Sequence, residues 1–246
     1  MIETRGLTRR FGALTAVEDL SFSVSRGEVL GFLGPNGAGK TTTMRLIAGF
    51  LAPTSGSASV LGHDVQRDAR RARAALGYLP EGAPAWEEMT VRELLAFVAR
   101  VRGLAPAARR ARLSELTARL GLGPVLDRRI ETLSKGFRRR AGLAQAILHD
   151  PPALLLDEPT DGLDPCQKHE VRGLIREMAR DKAIVVSTHI LEEVEAVCTR
   201  AIIIAGGRLR VDDTPEGLAA RGGAEGSMAA RIDAAFRAVT AEAGRA

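Results

Sequence analysis

The sequence of 246 residues has little cysteine and no long hydrophobic run. Its two cysteines, Cys166 and Cys198, lie far apart and outside any metal-ligand spacing, so we expect two reduced thiols in a cytosolic protein. The longest apolar runs, such as residues 201–205, are far shorter than the roughly 20 residues that span a bilayer. The first ten residues also lack the apolar stretch of a signal peptide. We therefore expect a soluble protein whose role at a membrane, if it has one, uses another chain.

The charge of the chain is positive, with a formal net charge of +5 and many arginines. A net positive charge of this kind is typical of proteins that bind nucleic acid or an anionic membrane surface. It also arises from a biased composition, and the scattered positions of the basic residues favour that second interpretation. The apolar content of 45% and the charged content of 26% are ordinary for a globular protein with an ample core.

Short apolar segments of strand length recur along the chain, and helix-length segments separate most of them. They are almost free of polar residues, as strands buried on both faces of a sheet are. They occupy residues 28–34, 75–80, 153–159, 183–189 and 201–205. This alternation predicts an α/β fold with a parallel-rich sheet.

The middle of the chain has a different pattern, with only helical periodicity between Trp86 and Asp150. Thr90 and Glu93 form a capping box that predicts the start of a helix there. We therefore predict a helical subdomain over residues 87–150, inserted between two parts of an α/β core. Beyond a core that ends near residue 220, residues 221–246 are predicted to form a linker and a short helix with Ile232, Phe236 and Val239 on one face.

The strongest local motif follows the first of these apolar segments and precedes a helical pattern. Its glycines let several backbone N–H groups point at one phosphate chain, and the helix N-terminus adds its positive dipole end. Lys40 would bring a charge to the β- and γ-phosphates, and the Thr41 hydroxyl would ligate Mg²⁺. This P-loop predicts a nucleotide site made of Gly34, Pro35, Asn36, Gly37, Ala38, Gly39, Lys40, Thr41 and Thr42.

Acidic residues end a later apolar segment, which closes with Asp157 and Glu158. Strands of an α/β sheet present their ligands at this carboxyl edge, so both acids are expected beside the P-loop. Asp157 would belong to the Mg²⁺ shell, and Glu158 is the candidate general base for an attacking water. His189 ends the next apolar segment, where a neutral imidazole could sense a γ-phosphate.

These motifs, in this order, resemble the nucleotide-binding subunit of ATP-binding cassette (ABC) transporters over about residues 1 to 220. Residues 133–137, LSKGF, stand where that family has its signature motif, usually written LSGGQ. The resemblance implies a single ABC ATPase domain: a P-loop NTPase core with antiparallel strands at its N-terminus and the inserted helical subdomain that carries the signature.

The resemblance also implies that two cassettes pair head to tail and share two ATP sites. Ser134, Lys135 and Gly136 would then meet the γ-phosphate bound to the other subunit, and Asp164 would communicate across the dimer. Lys135 and Phe137 depart from the usual Gly and Gln. The charge of Lys135 is compatible with a phosphate, whereas the sequence gives no account of Phe137. The arginines at 138–140 are expected to decorate the surface of the signature helix.

Three further positions are carried over by resemblance. Phe11 stands where the family has an aromatic residue that stacks on adenine, with Val17 as an apolar neighbour. Glu81 stands where the family usually has a glutamine that reaches the metal or its water. The segment from Glu81 to about Glu93 would face the coupling helix of a membrane permease.

The implied protein is an ATPase that binds ATP and Mg²⁺ and dimerises to drive transport through a separate permease. Glu81 and the signature together resemble exporter-type cassettes, so the implied direction is export, from the cytoplasmic face of the cell membrane. The transported substance, and whether the second cassette is identical or a paralogue, stay open. The alternative is a soluble ABC ATPase that acts on nucleic acid or ribosomes, for which the basic composition is the only argument.

Overall fold

The structure is a computed structural model that describes residues 1–223 and 225–243. Its strands are β1 (Ile2–Phe11), β2 (Leu14–Val24), β3 (Val29–Leu33), β4 (Ser55–Val60), β5 (His63–Asp64), β6 (Leu76–Leu79), β7 (Ala153–Asp157), β8 (Ala183–Ser187), β9 (Arg200–Ala205) and β10 (Arg208–Asp213). Its α-helices are α1 (Lys40–Ile47), α2 (Ala69–Ala74), α3 (Val91–Val101), α4 (Pro106–Arg119), α5 (Lys135–Ile147), α6 (Pro165–Met178), α7 (Leu191–Val197), α8 (Pro215–Arg221) and α9 (Met228–Ala243). Within the described residues, no helix is long and apolar enough to cross a membrane.

A six-stranded sheet in the order β10-β9-β3-β8-β7-β6 forms the centre of the molecule. Its five strands from β9 to β6 are parallel, and β10 pairs antiparallel with β9 at one edge. Every residue of β3, β7 and β8 is buried, which explains why these segments are almost purely apolar. The five segments predicted as strands form this parallel part of the sheet, so the α/β prediction is confirmed.

A second, antiparallel sheet has the order β2-β1-β4-β5 and comes mostly from the N-terminal part of the chain. It packs on one face of the central sheet around a shared apolar cluster. Phe22 of β2 meets Phe32 of β3 there, with their ring centroids 5.7 Å apart. The predicted N-terminal antiparallel strands are therefore confirmed.

Helices make up the segment between the two parts of the core. No strand lies within residues 87–150, all of which the structure describes. Thr90 and Glu93 form the predicted capping box at the start of α3, where the Glu93 N–H donates to Oγ1 of Thr90 at 3.2 Å. Leu94, Leu116 and Leu143 join α3, α4 and α5 in one core. The exact division of the chain into domains stays a prediction.

The last described helix, α9, packs against α7 and α8 rather than extending away from the core. Ile232 is fully buried, and Phe236 and Val239 pack on the same apolar cluster, which includes Leu33 and Ile203 of the central sheet. The predicted apolar face of this helix is confirmed. Residues 224 and 244–246 of the predicted C-terminal segment lie outside the described residues.

The two cysteines are free thiols in different surroundings. Cys166 is exposed at the start of α6. Cys198 lies against Gly31 of β3, and burial raises the pKa of its thiol to about 12. Because the reactive form of cysteine is the thiolate, Cys198 is an inert packing residue at neutral pH.

Candidate functional site

Four neighbouring parallel strands, β3, β8, β7 and β6, end at the same edge of the central sheet. The P-loop follows β3, His189 comes shortly after β8, Glu158 directly follows β7, and Glu81 comes two residues after β6. The carboxyl edge of an α/β sheet is where such folds bind ligands. A cleft of about 420 Å³ opens there, lined by Phe11, Leu14, Ala16, Asn36, Gly37, Gly39, Lys40, Thr41, Thr42, Glu81, Asp157 and Glu158.

The P-loop is shaped by glycines at positions where a side chain does not fit. A Cβ atom on Gly34 would lie 2.6 Å from the carbonyl oxygen of Ile204, so only glycine allows the loop to approach β9. Gly39 has a φ of 104° and lies against the carbonyl group of Ala16. Because α1 begins at Lys40, the first N–H groups of this helix have no intrahelical acceptor and line the cleft. This arrangement suits an anion.

Lys40 holds the P-loop together from inside. Its Nζ donates to the carbonyl oxygens of Gly34 at 2.5 Å and Pro35 at 3.1 Å. Burial lowers the pKa of Lys40, and the nearby carboxylates of Glu158, Asp157 and Glu81 oppose that shift. The ammonium group is therefore already at the bottom of the cleft, attached only to main-chain oxygens that a phosphate group could replace.

Asp157 is the last residue of β7 and is 2% exposed. Its Oδ2 has no hydrogen-bond partner among the described residues. Burial raises the pKa of Asp157, and the negative charges of Glu81 and Glu158 add to that effect, whereas the nearby hydroxyls of Ser187 and Thr41 reduce it. A buried carboxylate oxygen without a donor is costly by itself. A hard cation at this place would remove that cost, so Asp157 and Thr41 fit a Mg²⁺ ion.

Glu158 and His189 form a pair at the mouth of the cleft. The Nδ1 atom of His189 lies 2.8 Å from Oε1 of Glu158. Glu158 has a φ of 51°, a strained conformation for a residue with a side chain, and its N–H donates to the Ser187 carbonyl oxygen at 2.9 Å. The backbone strain turns the carboxylate out of the sheet and toward the cleft, and strain of this kind is typical of functional sites.

The apolar end of the cleft differs in part from the prediction. Phe11 lines it, is 43% exposed and lies under the guanidinium of Arg9, which is 4.5 Å from the ring centroid. Val17 is buried beneath Gly39 and is not a lining residue among those described. Leu14, which is 66% exposed, and Ala16 line the cleft instead. A leucine only three residues after Phe11 was the signal that the sequence offered.

The family of the chain follows from comparison with known proteins. A profile of the family described as "ABC transporter" matches residues 17–161, which include the P-loop, Asp157 and Glu158. The chain belongs to the ABC transporter family. It is an ABC ATPase domain, and the matched region includes Lys40, Asp157 and Glu158, which line the cleft.

Named relatives and a solved structure agree with this assignment. The chain is 40% identical to the Nod factor export ATP-binding protein I of Paraburkholderia xenovorans over 89% of its own length and 72% of that protein. It is 37% identical to the probable multidrug ABC transporter ATP-binding protein YbhF of Escherichia coli over 90% of its length, but spans only 38% of that longer protein. A solved ATP binding subunit of an ABC transporter superimposes with a TM-score of 0.89, with 31% identity and coverage of 98% and 99% of the two chains.

The residues predicted to form the signature lie apart from the cleft. In the part of the chain that the structure describes, Ser134, Lys135, Gly136 and Asp164 do not line the cleft. Ser134 caps α5, and its Oγ accepts from the Phe137 N–H at 3.4 Å. The first N–H groups of α5 therefore form a second helix terminus suited to an anion, exposed on another surface.

Two of these residues have partners within their own chain. Lys135 pairs with Asp161, with Nζ 2.8 Å from Oδ2, so its charge is directed at the loop after Glu158. Asp164 caps α6 by accepting from the Gln167 N–H at 2.9 Å. Gly136 is buried, and a Cβ there would lie 3.2 Å from the carbonyl oxygen of Gly162. The signature and the loop after β7 thus pack together within one ABC domain.

The arginines that follow the signature do not all decorate the surface, so that expectation was wrong for two of them. Arg139 and Arg140 are 2% and 6% exposed. Arg140 donates to the Leu120 carbonyl oxygen at 2.9 Å and stacks over the ring of Phe137 at 4.3 Å. Phe137 therefore gives a buried arginine an aromatic surface, which is the account of this residue that the sequence lacked. Only Arg138 keeps substantial exposure.

Sequence reasoning missed a set of polar residues behind the cleft, here called the polar layer: the buried Thr160, Thr188 and Glu193 and the half-buried Arg172. The Glu193 carboxylate accepts from the Thr160 hydroxyl and from the Thr188 hydroxyl, the latter at 2.7 Å. Arg172 approaches it to 3.7 Å. Because Thr160 follows Glu158 and Thr188 precedes His189, the polar layer joins the two loops that carry the Glu158–His189 pair. A glutamate at a buried position of α7 was the only sequence signal.

Proposed function

We propose that this ABC domain hydrolyses Mg·ATP in the cleft at the carboxyl edge of its central sheet, with Glu158 as the general base. The observation that carries the proposal is the convergence of Lys40, Asp157 and the Glu158–His189 pair from separate strands. No covalent chemistry is needed from such a site, because phosphoryl transfer depends on positioning and charge stabilisation.

Each part of the nucleotide has a complementary part of the cleft. The exposed apolar surface of Phe11 and Leu14 suits the base. The N–H groups at the start of α1, together with Lys40, suit the phosphates. Thr41 and Asp157 would hold Mg²⁺, which when bound would neutralise phosphate charge, and Glu81 lines the cleft where it could contact the ion or its water.

The Glu158 carboxylate would accept a proton from the attacking water. Its contact with Nδ1 of His189 fixes one carboxylate oxygen, and the other is left for that water. The second ring nitrogen of His189 would contact the transferring phosphoryl group. The polar layer supports both residues because it joins the loops on which they lie.

The test is the Glu158→Gln variant, which keeps the shape of the side chain but removes the base. We expect ATP affinity to change little and the hydrolysis rate to fall at least about 100-fold, since general-base catalysis contributes about that much or more. Steady-state phosphate release and equilibrium binding of labelled ATP measure the two quantities. The matched control is Glu195→Gln, an exposed glutamate on α7. Hydrolysis at the parental rate by the Glu158 variant would remove Glu158 from this role.

We further propose that the chain works as one of two cassettes, each of which supplies its signature to the other's nucleotide. The support is the exposed N-terminus of α5, which carries Ser134 and lies outside its own cleft. The binding of ATP between two such surfaces would stabilise the dimer. Sedimentation of the Glu158→Gln variant with Mg·ATP tests this, since the proposal predicts a dimer that dissociates when the nucleotide is removed.

The second cassette need not be identical. Sedimentation of the purified chain tests only the homodimer. If the variant stays monomeric at micromolar concentration while it binds ATP, pairing with itself is excluded and a paralogue becomes the partner to seek.

We propose a separate membrane permease as the transport partner, on a groove between the core and the helical segment. The groove has a volume of about 810 Å³ and is rimmed by Phe50 and Val101, which are 71% and 68% exposed. Trp86, in the segment after Glu81, lies beside it. Exposed aromatic and aliphatic residues grouped in this way are typical of interaction sites. The chain would then act from the cytoplasmic face of the membrane, at its periphery.

Co-purification from detergent-solubilised cells tests the partner. The tagged Glu158→Gln chain with Mg·ATP should retain a polytopic membrane protein, identified by mass spectrometry, and Val101→Asp in the groove should abolish that retention. Leu61→Asp is the matched control, because Leu61 is an exposed apolar residue in the turn between β4 and β5, away from the groove. Equal retention by the two aspartate variants would place the partner elsewhere.

Export is the proposed direction of transport. Relatives at 40% and 37% identity are named for Nod factor export and as a probable multidrug transporter protein, and the substrate of this chain is left unassigned. No observation beyond the basic composition favours the nucleic-acid alternative, so it is not proposed. Ribosomal proteins or nuclease-sensitive nucleic acid in the co-purification would reverse that choice.

A further inference from the structure

The side chain of Arg139 connects three segments that meet beneath the nucleotide site. It projects from the second turn of α5 and is 2% exposed. Its Nη1 donates to the main-chain oxygen of Pro80 at 3.1 Å and to that of Asp157 at 3.3 Å. Its Nη2 lies 3.7 Å from Oδ2 of Asp161. One buried guanidinium therefore contacts the residue directly after β6, the last residue of β7 and the loop that follows β7.

The two carbonyl groups that it contacts have a common feature. Each belongs to the residue directly before an acid that lines the cleft, Pro80 before Glu81 and Asp157 before Glu158. Because a peptide unit is planar and rigid, fixing its oxygen also fixes the Cα atom of the next residue. A single group that binds both oxygens therefore sets the spacing between the Cα atoms of Glu81 and Glu158.

A role in packing alone explains a buried arginine at this position less well than a role in positioning the main chain. A buried charge has a large desolvation cost, and its one acidic partner, Asp161, is at long distance and is shared with Lys135. An apolar side chain of similar size would fill the same space without that cost. Only the planar guanidinium of arginine supplies several N–H donors at fixed angles. Such a group suits the carbonyl oxygens of Pro80 and Asp157, which come from separate segments of the chain.

We propose that Arg139 is a positioning residue for ATP hydrolysis, which holds the main chain before Glu81 and Glu158 at a fixed separation. The same contacts tie α5, whose N-terminus carries the signature, to the acids of the chain's own nucleotide site. A change in the orientation of α5 would therefore move both acids. The inference rests on the proposed role of Glu158 as the base, and its test includes one measurement that does not depend on that role.

The test compares Arg139→Met with Arg140→Met, a matched control on the same helix. Both arginines are buried, but Arg140 contacts Leu120 and Phe137 and not the acids. We expect Arg139→Met to lower kcat by about 10- to 100-fold, as small displacements of reacting groups do, while the KM for ATP changes by less than about threefold. Arg139→Lys, which keeps a charged donor, should recover part of kcat. Arg140→Met should keep kcat within about twofold for the folded fraction.

Hydrogen exchange provides the measurement that is independent of hydrolysis. In Arg139→Met, amide exchange should accelerate in the peptides that contain Glu81 and Glu158 together, and it should stay parental there in Arg140→Met. Parental exchange in both peptides of a folded Arg139→Met protein, or of Arg139→Leu if the Met variant does not fold, would overturn the proposal. An equal fall of kcat in the Arg139 and Arg140 variants, in step with lost thermal stability, would do the same. Loss of the Glu158 role alone would leave the exchange result intact.

Discussion

The nucleotide cleft and the polar layer behind it are neighbouring regions that both bury charged side chains. In the cleft, Lys40 is bound only to main-chain oxygens, and Asp157 has a buried oxygen without a partner among the described residues. In the polar layer, Glu193 accepts from two hydroxyls and has Arg172 nearby. The cleft is thus built to gain partners from a ligand, whereas the Glu193 carboxylate already has hydroxyl donors within the chain.

This difference teaches how to separate functional from structural polar residues in an α/β domain. Both regions look alike in sequence, since each consists of polar residues after an apolar segment. Satisfied hydrogen bonding predicts that a change in the polar layer costs stability first. The unsatisfied groups predict that a substitution in the cleft mainly lowers ligand affinity. Such a substitution can even raise the free energy of unfolding of the protein without ligand.

The largest expected effect comes from removal of the cation in the cleft. Lys40→Ala should weaken ATP binding by about 100-fold, because it removes a charge-assisted bond to phosphate. The free energy of unfolding without nucleotide should change by less than about 1 kcal/mol, because burial disfavours the charge that is lost. Calorimetric ATP titration and urea denaturation measure the two. Unchanged affinity for ATP would contradict the assignment of the P-loop.

An intermediate effect is expected from the polar layer. Glu193→Ala should lower the free energy of unfolding by about 2 to 3 kcal/mol, because two buried hydroxyls lose their acceptor. Glu193→Gln keeps one amide oxygen as an acceptor and is the matched control, with a smaller loss. Urea denaturation of both variants checks this, with ATP affinity measured in parallel and expected to stay near the parental value. A parental free energy of unfolding in Glu193→Ala would remove the distinction between the two regions.

The smallest effect is a gain of stability at Asp157 that depends on pH. Burial raises the pKa of this carboxyl group above its unfolded value of 3.8. At pH values above 3.8 the charged form of Asp157 therefore lowers the free energy of unfolding. Asp157→Asn should therefore raise the Tm without nucleotide by roughly 2 to 4 °C at pH 7.5. The gain should shrink as the pH falls through the raised pKa, because the parental side chain becomes neutral.

Thermal melts of both proteins from pH 4 to 8 measure this difference. Asp181→Asn is the control, because it removes a carboxylate of the same type from an exposed position between α6 and β8. A Tm that falls on mutation of Asp157 at pH 7.5 would mean that the carboxylate is satisfied within the chain, and the contrast with the polar layer would fail.

Much of the fold could be read from local patterns. The buried strands are short apolar segments because both faces of the central sheet are covered. Such unbroken apolar segments can be recognised in the sequence without knowledge of the tertiary structure. The P-loop is equally local, since its shape depends on glycines within a few residues of Gly34 and Gly39. The position of Asp157, Glu158 and His189 near the P-loop could also be predicted, because parallel strands end at the same carboxyl edge of a sheet.

The sequence by itself determined the α/β core, the helical insertion, the P-loop and the edge at which the acids gather, because each depends on periodicity or on neighbours in the chain. The tertiary structure decided which charges are buried and with what. Arg139 reaches Pro80 across 59 residues, and Glu193 reaches Thr160 across 33. Such pairs have no local signal, because the sequence around a polar residue in a helix is the same whether its side chain contacts water or a carbonyl group of a distant segment.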